Sequence, residues 1–132
     1  MIQPNDQPLI LVVEDEEGIQ SLLEDALAEA GFASDILSSA EEALTLFRSG
    51  LKAYAALVTD VNLKGQLDGW HVAREVREKE PSFPVVYMTG AAAGHWAAQG
   101  VPNSILLAKP FAPAQLVTAL SNLLNVGSPP TA

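Results

Sequence analysis

The chain has 132 residues, of which 48% are apolar and 17% charged, and its formal net charge is −9. This length and composition predict one soluble, well-packed domain. Seven lysine and arginine residues are too few for the basic face that nucleic-acid binding needs, so no nucleic-acid partner is expected. The lack of cysteine excludes disulfides and thiolate metal sites. With no signal peptide and no apolar run of membrane-spanning length, we expect a cytoplasmic protein without membrane contact.

Five short apolar runs alternate with five helical patterns along the chain. Apolar periodicity and capping signals define these elements. The predicted elements are, in chain order, a strand Leu9–Val13, a helix from about Ile19 to Ala30, a strand Phe32–Leu37, a helix that begins after Ser39, a strand Ala55–Thr59, a helix Trp70–Lys79, a strand Pro84–Met88, a short helix within Ala91–Gln99, a strand Ser104–Ala108 and a helix Pro113–Asn125. We expect a domain at residues 9–126 between flexible segments at 1–8 and 127–132.

Strict alternation of strand and helix predicts an α/β fold, a parallel sheet with helices on both faces. For five strands with right-handed crossovers, the flavodoxin-like order 2-1-3-4-5 is the commonest arrangement. In such sheets the binding site lies beyond the carboxyl ends of the strands, near the switch point between the first and third strands. The residues at those strand ends are therefore the candidates for function.

Polar side chains follow four of the predicted strands. Glu14 and Asp15 follow the first, Asp60 the third, Thr89 the fourth and Lys109 the fifth. Two carboxylates about 4 Å apart repel by roughly 4 kcal/mol at an effective dielectric near 20, so a cation is expected among the acids. Oxygen ligands without histidine or cysteine suit Mg²⁺. A carboxylate, Mg²⁺, a lysine and a hydroxyl are the groups that phosphoryl transfer uses.

Four segments at these strand ends carry a resemblance to a known family. They read "VVEDE", "LVTDVNLKGQLDG", "PVVYMTG" and "LLAKPF". Each is weak alone, but together and in this order they resemble the response-regulator receiver domain of two-component signalling, over about Leu9 to Val126. The resemblance implies a flavodoxin-like (βα)5 fold and a phosphorylatable site.

The resemblance also implies a magnesium shell. Asp60 is the implied phosphoacceptor and a metal ligand, and Asp15 is a direct Mg²⁺ ligand. Glu14 is a supporting acid that acts through water. The backbone carbonyl of Asn62 completes the set.

Thr89 and Lys109 are implied to bind the phosphoryl oxygens, and Lys109-Pro110 is implied to be a cis peptide bond. Two features depart from the family pattern. Leu106 stands where many receivers carry a switching Tyr or Phe. The loop after Asp60 is one residue longer than the common form.

The implied function is a single-domain response regulator, not an enzyme. It would take a phosphoryl group from a histidine kinase or histidine phosphotransfer protein onto Asp60. The surface formed by the fourth helix, fifth strand and fifth helix would then bind an unknown downstream protein. Trp96, in the fourth helical pattern, is expected in the core, with an exposed recognition role as the alternative.

Three other functions are compatible with parts of the pattern. A Mg²⁺-dependent phosphatase with an aspartate nucleophile would use Asp60, but the second acid of its Asp-x-Asp motif is here the amide of Asn62, and no inserted cap is present. A receiver-like adaptor that works without phosphorylation is disfavoured by the complete set of acids, threonine and lysine. A flavin-binding flavodoxin is disfavoured because acids occupy the position of its phosphate loop.

Overall fold

The computed structural model describes residues 7–125. The predicted flexible segment 127–132 and most of segment 1–8 lie outside these described residues. Within residues 7–125 the elements are β1 (Leu9–Val13), α1 (Glu17–Glu29), β2 (Ala33–Leu37), α2 (Ala40–Ser49), β3 (Ala56–Asp60), α3 (Gly69–Lys79), β4 (Val85–Thr89), α4 (Trp96–Gln99), β5 (Ile105–Ala108) and α5 (Pro113–Asn125). A short 3₁₀ turn, Ala93–His95, precedes α4.

The five strands form one parallel sheet in the order β2-β1-β3-β4-β5. This confirms the predicted flavodoxin-like topology. The chain leaves β1 toward β2 and then returns across β1 to β3, so the switch point lies at the carboxyl ends of β1 and β3. None of the helices within the described residues is long and apolar enough to cross a bilayer.

Two apolar layers cover the sheet because successive side chains of each strand point to opposite faces. Leu11 and Val13 of β1 pack in the layer with α2 and α3, whereas Ile10 and Val12 pack in the layer with α1 and α5. All four of these side chains are fully buried. Burial of each contributes about 1.5–3 kcal/mol, which explains why β1 is a continuous apolar run.

Two strands begin and end one residue later than the predicted spans Ala55–Thr59 and Pro84–Met88. β3 ends at Asp60 and β4 ends at Thr89, because Asp60 pairs with Met88 and Thr89 pairs with Ala108 in the sheet ladder. The strands therefore hold both of these polar residues directly, so neither depends on a loop for its position.

Two helices, α2 and α3, begin at a residue whose side chain caps the first turn. The Ser39 hydroxyl accepts a hydrogen bond from the Glu42 backbone N–H at 3.1 Å, and Asp68 Oδ1 accepts one from the His71 N–H at 3.0 Å. These bonds satisfy N–H groups that the first turns of α2 and α3 leave without helical partners.

The fourth helix is shorter than predicted. Only Trp96–Gln99 is α-helical, after the 3₁₀ turn. No residue of 93–99 is buried, so core packing does not support a longer helix. Gly94 lowers the local helix propensity further.

Candidate functional site

The acids predicted at the ends of β1 and β3 meet at one point. Glu14, Asp15 and Asp60 each offer a carboxylate oxygen, and these oxygens all lie within 4.8 Å of one another. Val13 pairs with Thr59 in the sheet register, so the residues that follow them are neighbours. Parallel pairing of β1 with β3 thus brings the cluster together.

Lys109 reaches this cluster from the end of β5. Its Nζ lies 2.9 Å from Glu14 Oε1 and 3.2 Å from Asp60 Oδ2. Burial opposes the charged form of Lys109, but its contacts with the two carboxylates together raise its pKa above the ordinary value. Lys109 is therefore a fixed cation between two acids.

Glu14 is 0% exposed, and both of its carboxylate oxygens have partners. Oε1 accepts from Lys109, and Oε2 accepts from the Glu16 backbone N–H at 3.1 Å. Burial raises the pKa of the Glu14 carboxyl, and the hydrogen bond from Lys109 offsets part of this rise. In this arrangement Glu14 anchors the ammonium group that lies against Asp60.

Asp60 is 7% exposed at the end of β3. Burial raises the pKa of its carboxyl, Lys109 lowers it and the charge of Asp15 raises it, with a net upward shift. A side chain could not be added to Gly69, since its Cβ would lie 2.1 Å from the Asp60 carbonyl oxygen. The start of α3 therefore packs directly on the backbone of Asp60.

Asp15 is the most accessible acid of the cluster, being half-buried. Its Oδ2 accepts a hydrogen bond from the Lys64 backbone N–H at 3.1 Å. Lys64 belongs to the long loop between β3 and α3, so this loop folds back over the acids. The sequence contained no signal for this contact, because it depends on how the loop closes.

Thr89 and Asn62 are the two remaining residues of the predicted site. Thr89 is buried at the end of β4, and its hydroxyl oxygen accepts from the backbone N–H groups of Ala91 at 3.3 Å and Ala92 at 2.8 Å. Asn62 is exposed at the start of the β3–α3 loop. Among residues 7–125, no hydrogen bond joins either residue to the acids.

The donor set fits a hard divalent cation. Among residues 7–125, one ammonium, that of Lys109, pairs with this cluster of three carboxylates, so the cluster keeps an excess of negative charge. Mg²⁺ binds through one or two carboxylates and retains waters, and the half-buried Asp15 leaves the cluster open on one side. The residues present can therefore hold Mg²⁺.

Three further predictions concern the fifth strand, the bond that follows it and the fourth helix. The Lys109-Pro110 bond is cis, as the resemblance implied. Leu106 pairs with the buried Tyr87 in the sheet register. Trp96 is 37% exposed, so its expected place in the core is wrong. The ring lies at the surface because α4 is short. Its indole N–H donates to Ser104 Oγ at 3.0 Å.

An apolar groove of about 300 Å³ lies beside Lys109. α1 contributes Ile19, Leu22 and Leu23 to its lining, and the β5–α5 connection contributes Pro110 and Phe111. Leu22 is 48% exposed although it is a large apolar residue. The groove thus places an accessible apolar surface next to the charged cluster.

Solved structures of known proteins share this fold. A response regulator receiver protein from Sinorhizobium medicae WSM419 is 43% identical, with a TM-score of 0.89, and the match covers 92% of this chain and 98% of that one. The response regulator TrrA from Thermotoga maritima, solved in complex with Mg²⁺-BeF, is 30% identical, with a TM-score of 0.76 and coverage of 89% and 99%.

A curated relative and a family model also match response regulators. The two-component response regulator PhoP of Pseudomonas aeruginosa is 34% identical over 125 residues, which cover 90% of this chain and 52% of that protein. The chain spans about half the length of the curated relatives it matches. The family model for the response regulator receiver domain matches residues 10–121. The chain therefore belongs to the response regulator receiver domain family of two-component signalling.

Proposed function

We propose that this chain is a phosphorylation switch in which Asp60 accepts a phosphoryl group in a Mg²⁺-dependent reaction. One observation carries this proposal: Lys109 Nζ lies between Glu14 Oε1 and Asp60 Oδ2, at 2.9 and 3.2 Å, inside a cluster of three acids. A lysine held this way keeps an acceptor carboxylate beside a fixed positive charge. Such a charge offsets the negative charge that the phosphoryl oxygens bring.

The proposed donor is a phosphohistidine on a histidine kinase or a histidine phosphotransfer protein. A carboxylate oxygen of Asp60 forms the new O–P bond while the P–N bond to the histidine breaks. The imidazole leaves with the electron pair of that bond and takes up a proton from solvent. The product is an acyl phosphate on Asp60. Because the modified chain is itself the product of the reaction, we propose a signalling role without turnover of a separate substrate.

Each neighbouring residue has a proposed part in this reaction. Bound Mg²⁺ would neutralise charge on the phosphoryl oxygens, with Asp15, Asp60 and the Asn62 carbonyl as its ligands and Glu14 in support. Lys109 pairs with a phosphoryl oxygen. The Thr89 hydroxyl oxygen accepts two N–H groups, and its own hydrogen would be donated to a phosphoryl oxygen. The solved relative that contains Mg²⁺-BeF supports a metal at this site.

The surroundings of the site support a protein donor and a protein receiver of the signal. The apolar groove formed by Ile19, Leu22 and Phe111 adjoins Lys109, and it offers a helical donor a docking surface next to the acceptor. Thr89 holds the backbone of Ala91 and Ala92, which leads to α4. A phosphoryl group that draws the Thr89 hydroxyl toward Asp60 would shift this segment and alter the α4-β5-α5 surface.

Intact-mass measurement after incubation with acetyl phosphate and Mg²⁺ tests the proposal. We expect the wild type to gain the mass of one phosphoryl group and Asp60→Asn to gain none. Asp68→Asn is the matched control, because Asp68 lies at the far end of the loop that follows Asp60 and caps α3, and asparagine caps a helix equally well. It should be labelled like the wild type. Labelling of Asp60→Asn, or labelling that persists in EDTA, would contradict the proposal.

A further inference from the structure

Gln20, in the first turn of α1, binds the turn that carries the acids. Its side-chain N–H₂ group donates to the Glu14 carbonyl oxygen at 2.6 Å and to Ser38 Oγ at 3.1 Å. It thus joins the end of β1 to the connection between β2 and α2. Gln20 is not one of the acids of the cluster, and it is distinct from Thr89 and Lys109.

The hydrogen bonds of Glu14 show what Gln20 adds. The Glu14 backbone N–H donates to the Leu37 carbonyl at 3.0 Å, and its carboxylate binds Lys109 and the Glu16 N–H. Within residues 7–125, the hydrogen-bond donor to its carbonyl oxygen is Gln20. Gln20 therefore completes the hydrogen bonding of a fully buried residue at the centre of the cluster.

The direction of the Glu14 carbonyl sets the position of the Asp15 backbone. The peptide group between these residues is planar, so a bond that fixes the carbonyl also fixes the plane from which the Asp15 Cα extends. At its other end, the Asp15 carboxylate is held by the Lys64 N–H at 3.1 Å. Gln20 and Lys64 together define the orientation of Asp15.

This turn needs such support because its charges repel. Glu14, Asp15 and Asp60 place carboxylate oxygens within 4.8 Å of one another, and their repulsion favours an opened turn. A glutamine amide donates hydrogen bonds without carrying charge. It can hold the turn closed and still leave the negative charge of the cluster available to a cation.

We propose that Gln20 is a positioning residue for the divalent cation, acting through the Glu14–Asp15 peptide to orient Asp15. This inference rests on the metal-dependent function proposed above. Groups that orient metal ligands change metal affinity by about 10- to 100-fold when they are removed. Since Mg²⁺ demands near-ideal octahedral geometry and Ca²⁺ tolerates looser geometry, loss of Gln20 should weaken Mg²⁺ binding more than Ca²⁺ binding.

The test is calorimetric titration of the unphosphorylated chain with Mg²⁺ and, separately, with Ca²⁺. In Gln20→Met, which has a similar length but cannot donate, we expect the Kd for Mg²⁺ to rise by about tenfold or more and the Kd for Ca²⁺ to rise less. Ser38→Ala is the matched control, because it removes the other acceptor and keeps the bond to Glu14. Its two Kd values should stay at those of the wild type. Gln20→Ala replaces Gln20→Met if circular dichroism shows that the latter does not fold.

The outcomes separate this inference from the proposed function. A folded Gln20 variant that binds Mg²⁺ like the wild type would overturn the positioning role alone. Equal weakening of Mg²⁺ and Ca²⁺ would also overturn it, because a general loss of structure or charge attraction affects both ions. A folded wild type that binds no Mg²⁺ would overturn both the positioning role and the metal-dependent function.

Discussion

Replacement of Lys109 by methionine removes the ammonium group that touches both buried carboxylates, those of Glu14 and Asp60. Glu14 is 0% exposed, Asp60 is 7% exposed, and the Lys109 side chain itself is 21% exposed. Methionine keeps most of the apolar stem of lysine, so the change isolates the charge. We expect a large loss of stability in metal-free protein at neutral pH.

The size of this loss follows from the distances. At 2.9 and 3.2 Å, each contact is worth roughly 5 kcal/mol at an effective dielectric near 20, before the desolvation of the charges is subtracted. Removal of one partner from a buried pair costs about 3–5 kcal/mol. Because Lys109 keeps some exposure, we expect about 3 kcal/mol, the lower end of this range.

Lys52→Met is the matched control. Lys52 Nζ lies 2.9 Å from Asp35 Oδ2, the same distance as the contact of Lys109 with Glu14, but its side chain is 50% exposed. Exposed ion pairs contribute about 0–1 kcal/mol. Urea unfolding in EDTA, followed by circular dichroism, measures both variants against the wild type.

The pH dependence gives a second test of the same reasoning. Burial already raises the pKa of the Glu14 carboxyl, and loss of Lys109 raises it further. An acid whose pKa is raised by folding binds a proton more tightly in the folded state, so stability falls as pH rises through that pKa. The deficit of Lys109→Met should therefore shrink at about pH 5. A deficit no larger than that of Lys52→Met, or one that does not change with pH, would refute the argument.

Three further substitutions have defined outcomes. Burial raises the pKa of Asp60, so its ionised form costs stability at neutral pH. Asp60→Asn should therefore raise the melting temperature in EDTA, and the difference from wild type should fade as the pH falls toward 4. An unchanged or lower melting temperature at neutral pH would contradict this. Gly69→Ala places a Cβ 2.1 Å from the Asp60 carbonyl oxygen and should lower the free energy of unfolding by about 2 kcal/mol or more. In the control Gly18→Ala, the new Cβ meets no atom within 4 Å and should stabilise α1 by up to about 1 kcal/mol. Equal effects of the two substitutions in urea unfolding would argue against close packing at Gly69. Gly100→Ala places a Cβ 2.4 Å from the Trp96 indole and should shift the fluorescence emission and acrylamide quenching of that ring. A variant with the same spectra as the wild type would show that the ring lies elsewhere.

The fold was predictable because its signals are local. The continuous apolar run Leu9–Val13 forms the predicted strand without change, and Ser39 caps α2 as its spacing with Glu42 suggested. The exposure of Trp96 was not predictable in the same way. An aromatic residue in a helical pattern is usually buried, but here α4 is a single turn with no buried residue.

The site was predictable as far as the sheet positions it. Parallel strands end at one edge, so Glu14 and Asp60 come close at the ends of the adjacent strands β1 and β3, and the long side chain of Lys109 reaches them from the end of β5. Contacts that depend on loop closure could not be derived, and they include the Lys64 N–H bond to Asp15. The bond from Gln20 to the Glu14 carbonyl was missed for a related reason, since it depends on a turn conformation that no pattern specifies.

The central claim is that Asp60 carries the phosphoryl group. The most direct measurement is borohydride reduction of the chain after treatment with acetyl phosphate and Mg²⁺, followed by peptide mass spectrometry, because reduction converts an aspartyl phosphate to a homoserine at the modified position. We expect homoserine at Asp60 and only in samples that contained Mg²⁺. Homoserine at Asp15 or Asp68, or a phosphoryl group on another residue type while Asp60 stays unmodified, would contradict the claim.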